Sequence, residues 1–247
     1  MSKSFDVIWL NTSPSLQQLD RPLLEYLSRH LKIAQWEYYQ TKDEASYIYK
    51  AVVLLYDFLK YSDRPVHLAG HGISGVVGLM FARQYPKRVR SLTLLAVAPQ
   101  PAATWHAHYY VQLQLLTLSR EKVLANTVRS LFGKNPPYPT HRLAAALDID
   151  LDASPTMHSV CKLEYLPKAG VSMPLMVCGS KTDPIVHPPA LHEWRTWLKP
   201  GDTLWECPDG YHFFHYFHPQ AVGNQILSFW QRQHPQLLPE FALSSNT

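Results

Sequence analysis

A run of small residues between an apolar strand and an apolar helix constrains this chain more than any other feature. His67-Leu68-Ala69-Gly70-His71-Gly72-Ile73-Ser74-Gly75 follows a strand pattern at 65–68 and leads into a helical pattern at 76–85. Small residues at 70, 72, 74 and 75 require a sharp turn with backbone packed against backbone. A strand, a Gly-rich hinge and a helix form the frame of a nucleophile elbow, in which G-x-S-x-G lifts a serine to the top of a sheet. In that register the motif is Gly70-His71-Gly72-Ile73-Ser74, and the nucleophile position, Gly72, has no side chain.

The rest of the chain alternates around this stretch. Strand patterns at 6–10, 33–39, 91–98, 174–179 and 202–207 are separated by helical ones at 21–31, 43–60, 189–198 and 219–231. The continuous apolar run Ser91-Leu92-Thr93-Leu94-Leu95-Ala96-Val97-Ala98 suits a central parallel strand covered on both faces. From 99 to about 162 the alternation stops, and helical patterns at 105–116, 120–132 and 142–147 take over. This stretch is too apolar to be a free linker and reads as an insertion. The last dozen residues read as a tail. Strands alternating with helices predict a mostly parallel sheet with helices on both faces.

Bulk properties narrow the function classes. With 247 residues and a hydrophobic share of 46%, the chain can bury a sizeable core as one domain carrying an insertion. A net charge of +4 is spread thinly, and the densest basic run, Lys87-Arg88-Val89-Arg90, reads as a solvated helix end. Nucleic acid is therefore not expected as a partner. Cys161, Cys178 and Cys207 are odd in number and lack C-x-x-C spacing, so neither a disulfide framework nor a zinc site is expected. Cys178, inside an apolar strand, reads as a buried thiol. No apolar run approaches the ~20 residues of a membrane span, and no signal peptide pattern opens the chain. A cytoplasmic protein is the expectation, with peripheral association to a complex left open.

The segment HLAGHGISGVVGLMFARQYPKRVRSLTLLAV resembles the elbow, elbow helix and following strand of the α/β-hydrolase family, in its meta-cleavage-product hydrolase, haloperoxidase and esterase branch. The likeness extends over nearly the whole chain. It implies an α/β-hydrolase fold spanning 1–247, with a helical cap inserted after the sixth family strand at 99–165. It also implies a triad in the order nucleophile, acid, histidine, beside an oxyanion hole. PLMVCGSKTDPIVHPP is similar to the acid segment and places the acid at Asp183. DGYHFFHYFHP resembles the histidine loop and places the base at His212. His215 and His218 follow at three-residue steps, but no shared acid partner is evident, and no metal or cofactor is expected.

Two stations depart from the family. Gly72 replaces the serine, and Asn11-Thr12 stands where the branch usually has His-Gly after the first strand. Ser74 lies two residues past the elbow, rotated by roughly 200° on a helix. It is a weak nucleophile candidate against a packing or capping role. The oxyanion donors would be the Ile73 N–H and a group at Thr12 or Ser13. His71 reads as a supporting residue. Trp105, Tyr109 and Tyr110 in Trp105-His106-Ala107-His108-Tyr109-Tyr110, with Asn11 and His71, are candidates for pocket or cap contacts, against simple packing of the insertion on the core.

The leading expectation is a non-hydrolytic pseudo-enzyme that binds a protein partner or a small-molecule ligand. The alternatives are serine-independent lyase or oxygenase chemistry through His212 and Asp183, or esterase-type hydrolysis through Ser74.

Overall fold

The computed structural model describes residues 6–41, 43, 47–100, 103–156 and 167–233. Its frame is a six-stranded sheet in the order β2-β1-β3-β4-β5-β6. The strands are β1 (Val7–Asn11), β2 (Ile33–Glu37), β3 (Val66–His71), β4 (Val89–Leu95), β5 (Leu175–Ser180) and β6 (Thr203–Cys207). Every neighbouring pair is parallel. All five residues of β1, all seven of β4 except Arg90, and all six of β5 are buried, which is why these segments read as unbroken apolar runs.

The helices are α1 (Arg21–Leu27), α2 (Ile48–Leu59), α3 (Gly72–Gln84), α4 (Trp105–Leu115), α5 (Arg120–Phe132), α6 (Thr140–Ala153), α7 (Pro188–His192), α8 (Phe214–Phe217) and α9 (Pro219–Gln233). Two apolar clusters cover the two faces of the sheet. One packs α2, α3 and the helices between β4 and β5 against Ile8, Leu10, Leu68, Leu92 and Leu94. The other packs α1 and α9 against Val7, Trp9, Ala69, Leu95 and Met176.

Several element boundaries differ from expectation. The expected helix at 43–60 is seen from Ile48 to Leu59, and residues 42 and 44–46 lie outside the described set. The helix expected at 21–31 ends at Leu27. The one expected at 142–147 runs from Thr140 to Ala153, because Leu143, Leu147, Asp150 and Leu151 continue one buried stripe. The helix expected at 189–198 divides into α7 and a 3-10 turn, Glu193–Thr196. Residues 157–166, including Cys161 and the end of the expected 99–165 insertion, lie outside the described residues, as does the tail.

Strand β3 also continues further than expected. Gly70 and His71 still pair with Leu94 and Leu95 of β4, and α3 starts at Gly72 with no intervening loop. Two glycines allow that junction. A Cβ on Gly70 would lie 2.9 Å from the Gly75 nitrogen, and one on Gly75 would lie 2.8 Å from the Gly70 oxygen. Strand and helix backbones therefore touch where any larger residue would separate them.

The strand order reverses between β1 and β3, so the loops after these two strands diverge and leave a crevice at their C-terminal ends. The chain leaving β5 and β6 ends on the same edge, and this edge holds the candidate site.

Candidate functional site

The elbow residue Gly72 has φ +50, in the left-handed region where L side chains carry strain. A Cβ placed on it would meet one atom within 4 Å, Nε2 of His212, at 3.8 Å. The backbone thus turns sharply from strand to helix at Gly72 and aims the side-chain position at an imidazole.

His212 lies on the loop after β6, following Gly210 (φ +105) and Tyr211 (φ +55), two consecutive residues in the positive-φ region. The loop is tied at both sides. The Tyr211 N–H donates to Thr182 Oγ1 at 3.1 Å, and the His212 N–H donates to the Leu131 carbonyl in α5 at 3.2 Å. His212 Nδ1 is 2.9 Å from Asp183 Oδ2, and both residues are buried. Asp183 Oδ1 accepts from the N–H groups of Ile185 (2.8 Å) and Val186 (3.2 Å) in the turn after β5. With Nδ1 engaged by Asp183, Nε2 is the ring nitrogen that faces Gly72. The acid and histidine expected from the sequence therefore meet in the geometry of an oriented base.

Ser74 is engaged elsewhere. Its Oγ accepts the Thr12 N–H at 2.9 Å and lies 3.0 Å from Thr12 Oγ1, with both residues buried. Its hydroxyl ties the loop after β1 to the first turn of α3. The Thr12 N–H, one of the expected oxyanion donors, is occupied by that bond, and the N–H of the alternative, Ser13, donates to Asn11 Oδ1 at 3.0 Å. The Ile73 N–H lies in the first turn of α3, where helix geometry leaves it without an intrahelical acceptor and no side chain caps the turn.

A small cavity of ≈ 20 Å³ lies beside the elbow, lined by Asn11, Ser13, Asp20, His71, Gly72, Ser74, Trp105 and Phe213 among others. Its volume suits about one water molecule. Of the expected contact residues, Asn11, His71 and Trp105 line it, whereas Tyr109 and Tyr110 do not. Tyr109 is fully buried in the core and packs edge-to-face on Tyr110, with ring centroids 5.4 Å apart. Trp105 stacks on the buried His106 at 4.1 Å. The aromatic run in α4 thus packs largely inward.

His71 stands between the dyad and a second carboxylate. Its Nε2–H donates to the His212 carbonyl at 3.0 Å. Its ring lies 4.8 Å from that of His212, 4.7 Å from Phe213 and 4.5 Å from His215. Burial holds its pKa well below 6.5, and the neighbouring His215 and His212 add to the effect. Burial also lowers the pKa of His108 in α4; His212 lowers it further, while Asp183 raises it.

The three histidines at three-residue steps do not converge on one point. Each pairs with a different carboxylate: His212 with Asp183, His215 with Asp20 at 2.9 Å, and His218 with Asp209. Asp20 was not legible as a site residue. It ends the 3-10 turn after β1 and also accepts the Trp9 indole N–H at 2.8 Å. Asp150, also missed, fixes α6 to the loop after β1. It accepts from Ser154 at 2.6 Å and from Ser13 and Ser15 at 3.4 Å each, and lies 3.3 Å from His106. Its signal in the sequence is its place in the buried stripe of α6, between Leu147 and Leu151.

The model of the "Alpha/beta hydrolase family" matches residues 34–225. The chain belongs to the α/β-hydrolase family. Two relatives of this family member are uncharacterized cyanobacterial proteins. One, from Nostoc sp., is 58% identical over 236 residues, covering 96% of this chain and 94% of its own length. The other, from Synechocystis sp., is 39% identical over 225 residues, covering 91% and 90%. Among solved structures, carboxylesterase CesB from Bacillus subtilis superposes with a TM-score of 0.70 at 14% identity, over 93% of this chain and 85% of its own. A thermophilic esterase from Thermogutta terrifontis gives 0.66 at 16% identity, over 95% and 92%. At these identities the structural likeness carries the fold alone. Among the described residues, no helix is long and apolar enough to cross a membrane.

Proposed function

We propose that this α/β-hydrolase family member is a non-hydrolytic pseudo-enzyme, with the elbow region retained as a binding scaffold. One observation carries the reading: the hydroxyl in the first turn of α3, Ser74 Oγ, is engaged by the Thr12 N–H and lies 3.0 Å from Thr12 Oγ1, while the base His212 pairs with Asp183. Acyl transfer needs an oxygen nucleophile within reach of the base and donors free for the developing oxyanion. Here Gly72 supplies no nucleophile, and Ser74 occupies one of the expected donors. The cavity beside the elbow, ≈ 20 Å³, is also far too small for an ester substrate. The α4–α6 region between β4 and β5, read as a cap, would provide the contact surface for a partner or ligand.

The test is hydrolysis of p-nitrophenyl acetate by the wild type beside His212→Ala and Ser74→Ala. All three should match the buffer rate. A wild-type rate that disappears with Ser74→Ala would overturn the reading.

A second reading rests on the intact dyad. Asp183 engages His212 Nδ1 and leaves Nε2 toward Gly72, which is the equipment of a general base acting on water or on a carbon acid. Its signature would be turnover that survives Ser74→Ala and is lost with His212→Ala. Turnover that persists in His212→Ala would exclude it.

A further inference from the structure

Beside the dyad, one group of side chains has no role in either reading. Asp20, His71 and His215 can each offer one ligand atom, and these atoms all lie within 4.8 Å of one another. We propose that they form a binding site for a divalent transition-metal ion of the zinc or ferrous class, held by one carboxylate and two imidazoles. Such a mixed nitrogen and oxygen set suits these ions and not the hard, all-oxygen-seeking calcium or magnesium.

The three residues come from separate elements: the turn after β1, the last position of β3, and α8. The site therefore exists only in the folded chain, and an ion bound there would stabilise the fold. The spacing fits. Asp20 Oδ1 and His215 Nε2 are 2.9 Å apart. Two atoms bound to one ion at about 2.1 Å stand about 3.0 Å apart at a right angle and about 3.4 Å apart in a tetrahedron. A separation a few tenths of an ångström wider would let the pair hold an ion in place of the shared proton.

The outer contacts also suit ligation. His71 donates Nε2–H to the His212 carbonyl, which leaves Nδ1 as the lone-pair nitrogen. A backbone carbonyl fixing the tautomer is the usual support of a ligating imidazole. The second oxygen of Asp20 is held by the Trp9 indole. His215 is fully buried, with Nε2 turned to Asp20 Oδ1. Asp20 and His71 also line the water-sized cavity at Gly72, leaving space for one small fourth ligand. Three protein ligands and one open position are the pattern of a reactive metal site, not of a closed structural one. The sequence reading expected no metal, because it sought ligands in one histidine run and could not see Asp20 beside His215.

The test uses the full chain after treatment with EDTA. Zn²⁺ is titrated by calorimetry, and Co²⁺ by visible absorption, whose d–d bands report a protein nitrogen and oxygen environment. One ion per chain is expected, with a melting temperature about 5–10 °C higher at a hundredfold excess over Kd. His71→Gln and His215→Gln should each weaken binding at least about tenfold, while His218→Ala and His192→Ala should leave it unchanged. If His215→Gln fails to fold, His71→Gln decides. The proposal is overturned by the absence of saturable binding, by unchanged affinity in His71→Gln, or by loss of binding in the His218 or His192 variants. Hydrolysis is not among the readouts, so the outcome is independent of the pseudo-enzyme reading.

Discussion

Replacing Gly72 separates backbone strain from chemistry at the elbow. At φ +50 a non-glycine residue carries about 1–2 kcal/mol of strain. Space adds little, since a Cβ would meet only His212 Nε2 at 3.8 Å, an ordinary contact. Gly72→Ala should therefore lower stability by about 1–2 kcal/mol, or roughly 2–8 °C in melting temperature for a chain of this size. Gly72→Ser carries the same strain but places a hydroxyl one bond nearer the imidazole, within the roughly 2.6–3.2 Å range of a nucleophile–base pair. That hydrogen bond should restore about 0.5–1.5 kcal/mol, so serine should be the more stable of the two variants. Its oxyanion hole would still be incomplete, because the Thr12 N–H is taken by Ser74. A missing donor costs about 10²–10³ in rate. Labelling by a fluorophosphonate, followed by intact mass, should be slow in Gly72→Ser and about a hundredfold faster in Gly72→Ser/Ser74→Ala. Gly72→Ala as stable as the wild type would refute the strain argument. Equal labelling of the single and double variants would refute the claim that Ser74 withholds a donor.

Three other outcomes follow from the same geometry. His71 is held neutral in the fold, with its pKa well below 6.5. The unfolded chain therefore binds more protons than the folded one below about pH 6.5, and stability falls as pH drops through that window; urea midpoints at pH 7.5 and 5.5 in EDTA should show this, with a shallower decline in His71→Gln. Asp150→Ala removes the acceptor shared by Ser13, Ser15 and Ser154, leaving Ser13 and Ser154 bonded to each other, and should cost about 1–3 kcal/mol in denaturant unfolding; an unchanged midpoint would mean that Asp150 does not hold α6 to the β1 loop. Cys178 and Cys207 are buried and burial raises both thiol pKa values, so iodoacetamide should leave both unmodified in the native protein and alkylate both in urea.

Much of the fold was legible because β-strand burial and helix periodicity leave direct marks. The run at 91–98 reads as a central strand and that at 174–179 as a strand, and β4 and β5 both lie inside the sheet. The elbow register could be read because the acid and histidine segments follow it in family order, and the structure brings Asp183 to His212. What was not legible depends on pairings across the fold. Nothing local to Thr12 announces that its N–H meets a hydroxyl 62 residues later. Asp20 looks like a turn residue until β1 and α8 bring Trp9 and His215 to it. The histidine run showed no acid partner in the sequence, yet its members turn to three separate carboxylates brought in from elsewhere in the fold. The aromatic run in α4 was ambiguous between contact and packing, and the burial of Trp105, His106 and Tyr109 accounts for most of it.

The most direct measurement of the central claim is the intact mass of the wild-type protein after prolonged treatment with a fluorophosphonate. An unchanged mass is expected, since Gly72 offers no oxygen and Ser74 is bonded to Thr12. A phosphonyl adduct that peptide mapping places on Ser74 would contradict it and make the chain a working serine hydrolase.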